Sequence, residues 1–205
     1  MSMATVKNGK LNQVKNFYRR GLSVETIAKK MRVSTEAMFY FFRKNKIKRR
    51  SGSDINKVRF ENKKPSFSVK KNLTVLEKAL QVAGTMLYWG EGSKWDGETI
   101  VDFANSDPAM IKVFLDFLRR ICGVNEKKLR VYLYCYRNQK VKKLVNFWQK
   151  VTGIKKEQFV KPYIRDDYRS DKIGKMRYGL IHIRYGDKKL LMQIRNWINE
   201  FVKKY

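Results

Sequence analysis

One carboxylate stands apart by position. Glu91 lies between Gly90 and Gly92 in the run AGTMLYWGEGSK (83–94), at the lower end of an apolar stretch, with Lys94 three residues on. Other reactive side chains are sparse. His182 is the single histidine, and Cys122 and Cys135 lack a metal-ligand spacing, so most zinc sites and Cys–His nucleophile arrangements within one chain are excluded. The two cysteines read as reduced packing residues, and His182 as a packing or DNA-contact residue. Cations are abundant: 47 Lys+Arg against 18 Asp+Glu give a formal charge of +29. Such a charge repels itself unless a polyanion neutralises it, and nucleic acid is the leading candidate.

The elements that must position these residues follow from periodicity. Thr74-x-x-Glu77 reads as a capping box opening a helix over 74–90. Leu76, Leu80, Gly84 and Leu87 form one stripe, suited to the chain's own core. Ala79, Ala83, Met86 and Gly90 form a second, mostly small, which lets another backbone come close. Downstream, 99–105 reads as a strand, 107–122 as a helix opened by Ser106-Asp107-Pro108, and 129–136 as a strand. The last of these alternates cleanly, with Leu129, Val131, Leu133 and Cys135 facing one way and Arg130, Tyr132, Tyr134 and Tyr136 the other. A helix over about 140–152, strands over 158–165 and 177–185 and a final helix over about 188–203 complete this half, with the charged loop 166–175 between the two strands. Phe159, Lys161, Tyr163 and Arg165 share one strand face, and Tyr178, His182 and Arg184 another. Strand faces bearing Arg, Lys and Tyr suit a surface that lies on a duplex and reads base edges.

Residues 11–50 have a different pattern. Leu11, Val14 and Tyr18 mark a first helix, and Ser23 caps a second whose inward residues are Ile27, Ala28 and Met31. Arg32-Val33-Ser34 is a short turn into a third that buries Ala37, Met38 and Phe41. Thr35, Glu36, Tyr40, Arg43 and Lys44 stay outside, with Lys46, Lys48, Arg49 and Arg50 clustered at the exit. The segment IAKKMRVSTEAMFYFFRKNKIKRR resembles a helix-turn-helix, whose third helix would enter the major groove while flanking basic residues touch phosphate. Residues 46–72 hold ten Lys/Arg against two acids and show no hydrophobic period, so 51–72 reads as a basic linker, flexible when free.

The 74–91 segment, with the strands and helices after it, resembles the LAGLIDADG homing endonuclease family over roughly residues 73–205. Leu87, Gly90, Glu91 and Gly92 fall at motif positions, while Met86 and Trp89 depart from the small and acidic residues usual there. The resemblance implies an α+β chain: an all-α helix-turn-helix (1–50), then a LAGLIDADG-like domain (73–205) of αββαββα type with an antiparallel DNA-binding sheet. It further implies that Glu91 is the metal-binding acid, for Mg²⁺ or another divalent cation, with Lys94, Lys161, Arg165 and Arg184 as basic candidates by face and charge. One motif per chain implies a homodimer through the helix 74–90.

The expected function is site-specific, metal-dependent cleavage of double-stranded DNA. The alternative is a non-cleaving transcription regulator with a degenerate LAGLIDADG domain. RNA binding accounts for the charge as well, but less well for the helix-turn-helix. No segment reaches the ~18 uninterrupted apolar residues of a spanning helix, so no membrane partner is expected. MSMATVKNGK lacks an apolar signal region, so the expected place is the cytoplasm, on DNA.

Overall fold

A computed structural model of the chain describes residues 8–166 and 176–204. The chain is α+β, with eight α-helices and a four-stranded sheet among the described residues. It divides into two compact units, Met1–Lys64 and Pro65–Tyr205.

The first unit holds α1 (Leu11–Arg19), α2 (Val24–Met31), α3 (Thr35–Lys44) and α4 (Gly52–Asn62). The Ser23 and Ser34 hydroxyls accept from the Thr26 and Ala37 N–H groups at 3.1 Å, satisfying orphan donors at the starts of α2 and α3. Arg32, in the left-handed region at φ 55°, ends α2 and starts the short connection to α3. Val14, Ile27, Ala28, Met38, Phe41 and Phe42 make the buried core.

α4 occupies part of the expected flexible linker. It has no buried residue and hence no apolar stripe to betray it. A capping box holds its start: the Ser51 hydroxyl accepts from the Asp54 N–H, and the Asp54 carboxylate accepts from the Ser51 N–H. The rest of that expected linker is tied to the second unit. Ser66 donates from N–H and hydroxyl to the Asp187 carboxylate at 2.9 and 2.8 Å, and the Ser68 and Lys70 N–H groups donate to carbonyls of 121–123.

The second unit runs α5 (Val75–Glu91), β1 (Val101–Asn105), α6 (Pro108–Asp116) with a π turn (Phe117–Ile121), β2 (Leu129–Tyr136), α7 (Val141–Thr152), β3 (Tyr163–Arg165), β4 (Leu180–Tyr185) and α8 (Lys188–Val202). The order is therefore αβαβαββα rather than αββαββα. Strands stand β1-β4-β2-β3. β4 is antiparallel to β1 and β2, but β2 and β3 are parallel, so the sheet is mixed and not antiparallel throughout. Parallel neighbours need a long crossover, and α7 is that crossover. β3 is also shorter than expected. Only 163–165 pairs continuously, after an isolated bridge between Val131 and Phe159.

One sheet face carries the core: Val101, Phe103, Leu129, Val131, Leu133, Ile181 and Ile183 pack against Phe114, Leu118, Trp148, Leu190 and Ile194 from α6, the π turn, α7 and α8. α5 packs on α6, the π turn and α8. Its buried residues are Glu77, Gly84, Thr85 and Tyr88, and Leu80 and Leu87 of the expected stripe also pack against the core, but Leu76, the first of that stripe, is 80% exposed. The phase is set by two contacts. Glu77 is drawn in by its capping box and by Lys70 Nζ at 2.7 Å. Gly84 faces Phe117, whose ring and Cβ would lie within 2.6 Å of any added methyl. Glycine there lets α5 come close to the π turn.

Candidate functional site

α5 delivers Glu91 as its last residue. Gly92 then leaves the helix in an extended conformation, its N–H bonded to the Tyr88 carbonyl at 2.8 Å. A side chain at Gly92 would meet the Tyr88 carbonyl and ring within 2.7 Å, so the tight exit requires glycine. Gly92 bridges to Phe103, and the Ser93 N–H donates to the Asp102 carbonyl. These bonds fasten the end of α5 to the edge strand β1. Glu91 itself is exposed, and the described residues contain no cluster of three His, Cys, Asp or Glu side chains. The end of α5 thus presents one exposed carboxylate, a hard oxygen donor of the kind that suits Mg²⁺.

The outward side of α5 is apolar and largely exposed among the described residues of the second unit. Val75 is 83% exposed and Leu76 80%, followed by Ala79, Val82, the half-buried Ala83 and Met86, and exposed Trp89. Trp197 and Phe201 of α8 border it beside Val82 and Met86.

Lys94 sits beside Glu91 in sequence and lines a pocket of about 290 Å³ with Tyr88, Trp89, Ser93, Asp96 and Arg195. The buried Tyr88 hydroxyl makes no hydrogen bond among the described residues. Burial pushes this phenol up to about 12, against a smaller downward pull from the Arg195 charge. Lys161 is placed elsewhere. It precedes β3 at the opposite edge of the sheet from β1, three strand spacings or about 14 Å across. Glu91 and Lys161 of one chain are not brought together.

The helices of the second unit pack on the first sheet face, and among its described residues none packs on the second. Register sets its rows: Asp102, Arg184 and Arg130 stand side by side across β1, β4 and β2, and Ala104, His182 and Tyr132 form the next row. Tyr134 pairs with Tyr163 on β3, and Tyr136 with Arg165. The Tyr134 ring lies 4.8 Å from His182 and 5.4 Å from Tyr163, giving an aromatic row across three strands. Arg130 is exposed, its guanidinium donating to the Lys127 and Leu129 carbonyls at 2.8 Å. Tyr178 falls outside the strands and stacks on Phe147 at 3.7 Å, so it does not share the His182 face.

Asp102 organises this face. It is 8% exposed, with one oxygen 2.8 Å from His182 Nδ1 and the other accepting from Arg184 Nε at 2.7 Å. Arg184 also lies 4.2 Å over the Tyr132 ring. Burial works against its charge, but the Asp102 carboxylate outweighs this and raises the guanidinium above its ordinary value.

No family model matches the chain, and neither a curated protein nor a solved structure is significantly similar to it.

In the first unit, Glu36, Tyr40, Arg43, Lys44 and Lys48 are exposed on or just beyond α3, and Thr35 is half-buried. Arg49 covers the Phe39 ring at 4.8 Å. Arg50 turns inward: it lies 3.9 Å over Tyr18 and donates to the Leu22 carbonyl at 3.2 Å and to the Tyr18 carbonyl. Its guanidinium holds the exit of the helical unit together.

Asp102 is the functional candidate that sequence reasoning passed over. Its signal was present: in VDFAN it alternates with Val101 and Phe103, an acid on the outer face of a strand in a very basic chain. The loop 166–175 lies almost wholly outside the described residues.

Proposed function

We propose that this protein binds double-stranded DNA through the outer face of its sheet and through α3, and that it cleaves DNA as a homodimer of LAGLIDADG type. The observation that carries the DNA reading is the sheet face opposite the second unit's helices, with Arg130, Tyr132, Tyr134, Tyr163, Arg165, His182 and Arg184 on a chain of charge +29. Guanidinium and phenol groups standing off a strand can donate to phosphates and base edges, and a sheet fits the major groove. The serine-capped α2–turn–α3 segment, with its exposed α3 residues, supports a helix-turn-helix that adds contacts at a second position.

Support for cleavage comes from α5. Its exposed apolar line suits pairing with a second copy, which would bring two Glu91 carboxylates to the ends of adjacent helices. Those two residues would hold Mg²⁺, which supplies Lewis-acid stabilisation and an activated water for phosphodiester hydrolysis. Within the chain, Gly92 and the β1 pairing hold Glu91 in place, and Lys94 sets a positive charge nearby.

The non-cleaving regulator is favoured by one observation. Trp89 and Met86 lie on the outward side of α5, where a close helix pair wants small residues. Cleavage of a randomised duplex library, with Mg²⁺ and with chelator, separates the two. Metal-dependent double-strand cutting by the wild type, lost in Glu91→Gln, is the expected result, with a dimer in sedimentation. Tight binding without cutting leaves the regulator. No affinity for duplex DNA removes both.

A further inference from the structure

The buried carboxylate on an otherwise cationic face calls for a reason. A lone anion there would repel phosphate, yet Asp102 is held almost out of solvent, with each oxygen committed to a side chain of β4. Its effect is to fix Arg184. The guanidinium is gripped at Nε by Asp102 and on its flat face by the Tyr132 ring. A long arginine side chain carries considerable rotamer freedom, and two such restraints remove most of it before any ligand arrives. The Nε bond engages the inner edge of the guanidinium. Its terminal nitrogens form the outer edge, a pair of coplanar donors at fixed spacing, and the side chain remains 27% exposed on the open face.

A rigid pair of parallel donors is selective. In the major groove only guanine presents two adjacent acceptors, O6 and N7, on one base edge, whereas adenine offers one acceptor beside a donor. We infer that Arg184 reads a guanine in the bound duplex and that Asp102 is its positioning residue. The inference rests on the reading of the sheet face as a duplex-DNA interface. It adds the base that this face selects and the residue that enforces the selection. His182 occupies the other Asp102 oxygen, so the carboxylate cannot swing away from Arg184 without losing that contact.

The test uses the full chain on a randomised duplex library, comparing wild type, Arg184→Lys and Asp102→Asn for sequence preference and for affinity to a non-specific duplex. Wild type should show a guanine preference at one position per protomer, of about 5- to 150-fold, the range of one bidentate arginine–guanine pair. Arg184→Lys should weaken that preference severalfold, because a single ammonium replaces the coplanar pair of donors. Asp102→Asn should weaken the same preference at the same position and leave non-specific affinity equal or higher, because it deletes a negative charge from the face. A merely structural Asp102 would instead lower both affinities together and broaden the protein's thermal melting. A guanine preference undiminished in Arg184→Lys, or a wild type with none, overturns the inference while duplex binding stands. Absence of duplex binding by the wild type overturns the sheet-face reading as well.

Discussion

At the scale of single residues, the second unit relies on a few buried or half-buried polar groups. Asp187 is one. Its carboxylate caps α8 by accepting from the Lys189 N–H at 3.0 Å and accepts twice from Ser66. Burial alone would raise its proton affinity. The Ser66 N–H and hydroxyl and the first N–H groups of α8 more than offset this, and the net shift is downward. A depressed folded-state value means that the charged carboxylate stabilises the fold above the ordinary aspartate value near 3.8 and that this contribution fades as pH falls through the lower folded value. Thermal melting of wild type and Asp187→Asn across pH should therefore differ most at neutral pH, by about 1–3 kcal/mol, and converge in acid. A gap that stays constant down to pH 2 would refute this account.

At the scale of elements, the close approach of α5 to the π turn depends on Gly84. Alanine is the better helix former by about 1 kcal/mol, yet its methyl would fall 2.1–2.6 Å from Phe117 atoms. Overpacking should win, because Phe117 is itself fully buried among Phe114 and Trp197 and has no room to retreat. Gly84→Ala should destabilise the protein by about 1–3 kcal/mol in denaturant melts. A gain in stability would show that α5 sits further from the turn. The crossover α7 is the other telling element. A helix inserted between β2 and β3 makes those strands parallel neighbours, and that single connection turns an antiparallel pattern into a mixed sheet.

At the scale of the whole molecule, charge dominates. With 47 cationic residues against 18 acidic ones, association with a polyanion releases condensed counterions, and affinity must fall steeply with salt. If about 6–10 phosphates are contacted, duplex affinity should drop by about 10³–10⁵ between 50 and 200 mM salt. Fluorescence anisotropy with a labelled duplex would measure the slope, and a slope near zero would remove phosphate contact as the basis of binding. No described helix is long and apolar enough to cross a membrane, so none of them offers a spanning alternative for so basic a chain.

What the sequence determined by itself was local. Ser23, Ser34 and Thr74 announce helix starts because a cap acts within four residues, and LRVYLYCY declares its two faces because strand periodicity is read from neighbours alone. The capped α4 escaped because it buries nothing, so no apolar period marks it. What only tertiary structure decided was which distant groups meet. The rotation of α5 that exposes Leu76 and buries Glu77 depends on Lys70 and Phe117 arriving from other segments. The parallel pairing of β3, which carries Lys161 to the edge opposite Glu91, depends on where α7 packs. The Asp102–His182–Arg184 cluster joins residues 80 positions apart. Register between strands brings it together, and no local pattern in the chain encodes that register.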